Sequence, residues 1–174
     1  MGDRILVAYA SEHGSTGGVA DALGRQLAAG GAAVDVRPAK EVADLGPYRA
    51  VVVGSAIHGG KWLPEALSFV RANQGRLREM PTAFFQVGMM IAKDAEKYRD
   101  LTSAVLDPAR QLVSPVAERS FGGAVLFGNY SPIKGAGMRI FLKCIAMPEG
   151  DYRDWSAIRA WADEIRPKLG RPSA

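Results

Sequence analysis

Cysteine is almost missing from this chain: Cys144 is the one thiol in 174 residues. An intrachain disulfide and a cysteine-only metal site are therefore excluded, and the chain fits a reducing compartment. Histidine is nearly as scarce, with His13 and His58 the two present. Two imidazoles in separate segments do not make a metal site without further ligands. No apolar run approaches the roughly 20 residues of a membrane-spanning helix. The N-terminus enters a strand directly, without a basic and then apolar leader, so the expected location is cytoplasmic, extending to the inner face of the cell membrane. Basic runs interleaved with aromatics are missing too, which argues against nucleic acid. The formal charge is nonetheless +4, with a pI of about 9.4. That excess calls for an anionic small molecule or an anionic surface as partner.

What is present reads as one domain over residues 1–174, with 48% hydrophobic and 23% charged residues. Strand-like and helix-like stretches alternate, which argues a parallel sheet covered by helices. The spacing predicts a first strand over Arg4–Tyr9 and a helix from about Ser15 to Gly30, stopped by Gly30-Gly31. Val34-Asp35-Val36 is a short edge strand. Tyr48–Gly54 is fully apolar after Arg49 and belongs in the middle of the sheet. Pro64 opens the next helix. Thr82–Val87 is a fourth strand. A helix with Tyr98, Leu101, Val105, Ala109 and Leu112 on one face follows, split at Pro108 with Asp107 as cap. Ser120–Phe127 is the fifth strand, where Gly122-Gly123 marks a bulge or a close backbone approach. The last helix is expected over about Asp151–Leu169, with Ile158, Trp161, Ala162, Ile165 and Leu169 facing the core.

Ser11-Glu12-His13-Gly14-Ser15-Thr16 joins the first strand to the first helix. Hydroxyls, small residues and the positive end of a helix dipole converge there, so the natural guest is a phosphate. The stretch is neither a Walker A loop nor a G-x-G-x-x-G fingerprint. It resembles the flavodoxin phosphate loop, T/S-x-T-G-x-T, with His13 in place of a threonine. Five strands each followed by helix fit a flavodoxin-like three-layer α/β/α sandwich with a five-stranded parallel sheet, order 2-1-3-4-5. Ligands in such sheets bind at the carboxyl ends of the strands beside the switch point. Three loops meet on that rim: Ser11–Thr16, Ser55–Trp62 and Gly88–Asp94. The expected cofactor contacts are Ser11, Glu12, His13, Gly14, Ser15 and Thr16 from the first, Ser55, Ala56, Ile57, His58 and Gly59 from the second, and Val87, Gly88 and Met89 around the third. Glycine in the second loop permits the peptide flip a flavin ring asks for, and Ile57, His58 and Trp62 are candidate walls.

Further stretches bear on the family. Val53-Gly54-Ser55-Ala56-Ile57-His58-Gly59-Gly60 is similar to V-I-G-A-S-I-R-Y-G, and Met80–Phe85 to M-P-S-A-F-Y. Met138–Met147 is similar to M-I-K-L-I-M-K-M, with support from Phe121–Tyr130 and Asp154-Trp155. On these residues the chain resembles the flavodoxin-type, menaquinone-dependent protoporphyrinogen IX oxidases. The G-G-x-T-D region of that family is reduced here to Pro148-Glu149-Gly150-Asp151. The resemblance implies FMN, a porphyrinogen as donor and a quinone as acceptor, with the redox chemistry supplied by the flavin and no catalytic side chain or metal. Porphyrinogen propionates would be met by cations. The substrate-binding candidates are Lys61, Trp62, Lys93, Lys134 and Arg139, with Lys97 also on the rim. The segment from about 129 to 150 reads as a family-specific insertion. Within it, Arg139 and Lys143 share one face of an amphipathic stretch that faces either the sheet or a membrane or quinone. A membrane surface and a second copy of the chain stand as further possible partners. A non-catalytic electron carrier and an NAD(P)H:quinone reductase are the alternative readings; the positive charge disfavours the carrier.

Overall fold

The structure, a computed structural model, describes residues 3–93, 96–125, 137, 139–140, 142–143 and 148–170, excepting the side chains of residues 92, 93 and 99. Five parallel strands run β1 (Arg4–Ala10), β2 (Ala33–Pro38), β3 (Tyr48–His58), β5 (Thr82–Gly88) and β6 (Ala117–Gly122). A two-residue strand β4 (Lys61–Trp62) folds back on β3. The order across the sheet is β2-β1-β3-β5-β6, which is the expected 2-1-3-4-5 once β4 takes a number. β2 lies at one edge, as its alternating sequence requires.

Strand alternation sorts the core into two layers. Ile5, Val7, Val52, Phe85 and Val87 face helix α1 (Ser15–Ala29) and the final helix (Trp155–Ile165). Leu6, Ala8, Val51, Val53 and Phe84 face α2 (Pro64–Ala72) and α6 (Asp107–Leu112). Along α1, Val19, Leu23 and Leu27 are fully buried, so the every-fourth-residue stripe packs as expected. Gly24 lets α1 approach β2: a Cβ there would lie 2.3 Å from Val36 Cγ2. The final helix buries Ile158, Trp161, Ala162 and Ile165 on the same side, and Leu169 after it. Among the described residues no helix is long and apolar enough to cross a membrane.

Several boundaries differ from the sequence expectation. β3 continues through His58 and turns at Gly59 (φ 57°) and Gly60 (φ 74°). Two left-handed residues between paired strands form a type I′ hairpin turn, which the Gly-Gly pair permits. Ser55–Trp62 is therefore a hairpin rather than a loop. Residues after Gly88 turn at once into a short helix, α4 (Met89–Lys93). The split helix is α5 (Arg99–Ala104) and α6, but Leu106 is the cap residue and no side chain caps α6. Asp107 instead pairs with Arg110 across one turn (2.7 Å). Leu101, expected on the apolar face, is 69% exposed, because the break sets the two pieces out of phase. β6 begins at Ala117, earlier than expected, and ends at Gly122; residues 126 and 127 lie outside the described part. Ala124–Val125 leave the sheet and pair antiparallel with Gly150–Asp151. The final helix starts at Trp155, with the Asp154 carboxylate accepting from Ala157 N at 2.9 Å. Of the 129–150 segment, Arg139, Ile140 and Lys143 are exposed and Leu142 is buried; Asn129, Tyr130, Lys134, Met138 and Met147 lie outside the described residues.

At the end of the sheet opposite the carboxyl rim, Arg4 and Tyr48 bracket Asp35. Arg4 donates through Nε (2.9 Å) and pairs through Nη2, and Tyr48 Oη donates at 3.0 Å. The Arg4 guanidinium, and then Tyr48, hold the Asp35 carboxyl below the usual carboxylate range against its partial desolvation. A folded value below the unfolded one, near 3.9, contributes stability that is complete above the unfolded value and fades as pH falls through the folded one. The pair is partly exposed, so solvent screening keeps its contribution small. Asp35→Asn should accordingly lower the melting temperature at pH 7 and flatten its fall as pH drops below about 4. Parallel melting curves for the variant and the wild type across that range would show the pair to be without effect.

Candidate functional site

The rim of the sheet between β1 and β3 carries a cleft. From the first loop it is lined by Ser11, Glu12, His13, Ser15 and Thr16. The end of β3 supplies Ala56, Ile57 and His58, and the end of β5 with the start of α4 supplies Val87, Gly88 and Met89. Gly123 and Ala124 close the remaining side. The cleft is open to solvent, and its volume of about 110 Å³ is room for a phosphate-sized group.

Backbone geometry shapes its floor. Gly14 adopts φ 85°, ψ −14° at the N-terminus of α1, and no side chain caps the helix. Ser11 Oγ accepts from Gly14 N at 3.0 Å and closes the loop on itself. The helix ladder begins with Gly18 N donating to Gly14 O at 3.0 Å. The amides of Ser15, Thr16 and Gly17 precede that bond, so they have no partner within the helix and point out of its positive end. Thr16 is 1% exposed, and its Oγ1 has no hydrogen-bond partner among the described residues. A buried hydroxyl left so costs about 1–3 kcal/mol. An uncapped helix end beside an unsatisfied donor is the arrangement an oxyanion completes. This donor set fits the phosphate of a flavin mononucleotide.

Both histidines of the chain meet one carboxylate at the mouth. Glu12 Oε2 lies 2.9 Å from His58 Nδ1, and Glu12 Oε1 lies 3.7 Å from His13 Nε2. The contact ties the first loop to the β3–β4 hairpin. The apolar part is set by Ile57 and by Gly88, where a Cβ would meet Ile57 Cδ1 at 3.2 Å.

Gly14, Ser55 and Gly59 do not line the cleft. Gly14 supplies only its left-handed backbone. Ser55 is fully buried, and its hydroxyl donates to Ala56 O (2.8 Å) while accepting from Leu63 N (2.9 Å). It locks the hairpin to α2. Gly59 makes the turn. Trp62 is not a cleft wall but core: 7% exposed, edge-on to Phe84, and donating its indole N–H to Gln86 Oε1 at 3.2 Å. Gln86, fully buried in β5, in turn donates to Thr102 O (2.6 Å) and Ser120 Oγ (2.8 Å). That network holds the hairpin against β5, β6 and α5. Lys61 is exposed on the hairpin and Arg139 is exposed on its own segment; the Lys93 side chain and Lys134 lie outside the described residues. Lys97 lies over the Tyr98 ring at 5.4 Å.

Sequence reasoning missed three positions here. Gly123 and Ala124 reach the cleft because the chain leaves the sheet after β6; Ala124 N donates to Ser15 Oγ at 2.9 Å. The Gly122-Gly123 pair was the available signal, since a Cβ on Gly123 would meet Val87 Cγ1 at 3.3 Å and Ser15 Oγ at 3.4 Å. Arg153 is the third. Its guanidinium grips Asp151 with two 2.7 Å contacts, stacks 4.5 Å from the Trp155 ring, and reaches Ser15 O at 3.5 Å. Gly18 makes room for it, as a Cβ there would lie 2.5 Å from Arg153 Nη1. The same guanidinium, against some desolvation, holds the Asp151 carboxyl below its ordinary value. No local pattern could place this cation, because the antiparallel pairing of two-residue strands brings it there.

Comparison with known proteins agrees with the fold. The flavodoxin domain family model matches residues 6–152. The chain is 24% identical over 174 residues to a protoporphyrinogen IX dehydrogenase [quinone] of Leishmania major, covering 93% of this chain and 74% of that one. It is 25% identical over 183 residues to the protein of the same name from Escherichia coli strain K12, covering 98% of each. The fold is similar to that of oxidised flavodoxin 1 from Bacillus cereus, with a TM-score of 0.61 at 14% identity over 96% of this chain and 99% of that one.

Proposed function

Because this chain belongs to the flavodoxin domain family, we propose that it binds FMN in the rim cleft and oxidises a porphyrinogen at the expense of a quinone. The unsatisfied Thr16 hydroxyl at an uncapped helix N-terminus carries the cofactor reading. Names borne by two relatives matched over nearly the whole chain support the substrate pair.

When bound, FMN supplies the hydride and electron transfer. The residues hold and shield. Thr16 Oγ1 and the amides of Ser15, Thr16 and Gly17 take the phosphate oxygens. Ser11 keeps the loop closed. Ile57 and Met89 offer the ring apolar contacts that exclude water. His58, oriented by Glu12 on Nδ1, stands at the mouth where a proton is exchanged with solvent. The loop needs no lysine or arginine in contact with the phosphate, because the helix end provides the positive potential.

Purified protein should show flavin absorbance bands and should turn over protoporphyrinogen with a menaquinone analogue far faster than it reduces the same quinone with NAD(P)H. Faster turnover with the nicotinamide would make it a quinone reductase. Absorbance without turnover of either donor would make it an electron carrier.

A further inference from the structure

A second cavity, of about 360 Å³, lies between α2, the α5–α6 pair and the β3–β4 hairpin. It shares no lining residue with the rim cleft. Its lining is mainly apolar and includes Trp62, Pro64, Leu67, Val105 and Pro108. Its size falls in the range of sites for small organic ligands.

The charge of the lining is one-sided. Lys61 and Arg71 both border the cavity, and no acidic residue does. Lys61 and Arg71 are exposed, and neither makes a hydrogen bond or ion pair with a described residue. The described arginines of α3 (Gln74–Arg78) and α6 are held. Arg76 pairs with Glu79 at 3.2 Å, Arg78 donates to Leu112 O at 2.7 Å, and Arg110 bonds Asp107 and Glu118. Two unheld cations over an apolar hollow with no counter-charge form a site electrically complementary to an acid group attached to an apolar body.

The shape of the site is built in. Gly60 lines the cavity in a left-handed turn residue, and the hairpin is fixed from behind by the Trp62–Gln86 hydrogen bond. Ser68, on α2, adds one hydroxyl to the same wall. On these observations we propose that this cavity binds a free amphiphilic carboxylate, its apolar portion against Trp62, Leu67 and Val105 and its carboxylate between Lys61 and Arg71. Lys61 and Trp62 of this site lie on β4, whose directly paired residues on β3, His58 and Ile57, line the rim cleft.

Isothermal titration of the whole purified protein with decanoate and with decanol tests this. Decanoate should bind one per chain, at least tenfold tighter than decanol. Lys61→Gln with Arg71→Gln should weaken decanoate about tenfold or more and leave decanol unchanged. Ala104→Trp, at an exposed position of the cavity wall, should fill the hollow and abolish both. The two charge substitutions are at exposed side chains, so unchanged melting temperatures will show the fold intact. Equal affinity for acid and alcohol, binding insensitive to the charge substitutions, or no saturable binding would each overturn the proposal. So would co-sedimentation with anionic lipid vesicles that depends on Lys61 and Arg71 without any decanoate binding, which would make the pair a contact for a lipid surface.

Discussion

Thr16→Val combined with Ser11→Ala should release FMN from the protein. Hydrogen bonds to a charged group contribute about 1.5–3 kcal/mol each, so two affected groups correspond to roughly two to four orders of magnitude in Kd. The two positions act differently. Thr16 Oγ1 has no partner within the described chain, so its replacement removes a direct donor. Ser11 Oγ instead accepts from Gly14 N, so its replacement loosens the loop that aims the amides. Thr16→Val alone should weaken FMN about ten- to a hundredfold while leaving the apoprotein as stable as before or slightly more so. Valine has the same shape without the unsatisfied hydroxyl, and that exchange removes a buried polar group that has nothing to bond. Opposite signs for affinity and apoprotein stability are the signature of a ligand-facing hydroxyl. Flavin titration followed by fluorescence gives the first, and thermal melting of the flavin-free protein gives the second. Undiminished flavin retention after gel filtration would end the phosphate assignment.

Gly54→Ala should unfold or severely destabilise the protein, by about 3 kcal/mol or more. A Cβ at this point of β3 would sit 1.9 Å from Phe85 Cζ, on the neighbouring central strand. Phe85 cannot retreat. It is fully buried, with ring centroids of Phe121 at 6.5 Å and Trp161 at 6.4 Å. At about 2–4 °C per kcal/mol for a chain of this length, the melting temperature should fall by at least 6–12 °C. Gly75→Ala is the control. Gly75 lies in the short helix α3 (Gln74–Arg78) with nothing within 4 Å of its would-be Cβ. There alanine should be neutral or stabilising by up to about 1 kcal/mol, through helix propensity. Equal melting temperatures for Gly54→Ala and the wild type would mean that the aromatic cluster repacks freely.

The elements whose signals lie within a few residues were legible in advance. Ile5–Ala8 and Val51–Val53 are buried on both faces, as their unbroken apolar runs imply. The stripe of Val19, Leu23 and Leu27 and that of Ile158, Trp161 and Ile165 face the sheet as their spacing implies. Pro64 opens α2 and Gly31 follows α1 with φ 92°. Boundaries were less legible. The Gly59-Gly60 pair is a turn signal, but nothing local says whether such a turn closes a loop or a hairpin. Ile57↔Trp62 pairing decides that, and the pairing is held by Gln86, 24 residues beyond Trp62.

Local chemistry, then, was enough for the strands, the amphipathic helices and the Ser11–Thr16 loop, because each depends on the periodicity or composition of a continuous stretch, whereas the strand order was legible only through the resemblance to flavodoxins. Sequence alone also fixed that one thiol and two imidazoles are all the chain has. What surrounds the loop was decided only by the tertiary structure. Glu12 meets His58, Ser15 meets Ala124, and Arg153 reaches the first turn of α1 through contacts 109 and 138 residues apart for the last two. Trp62, a candidate wall by composition, became core because its indole found a buried amide. Such contacts arise where strand ends converge in space, and a two-residue ribbon such as Ala124–Val125 on Gly150–Asp151 is too short to leave any period in the sequence that makes it.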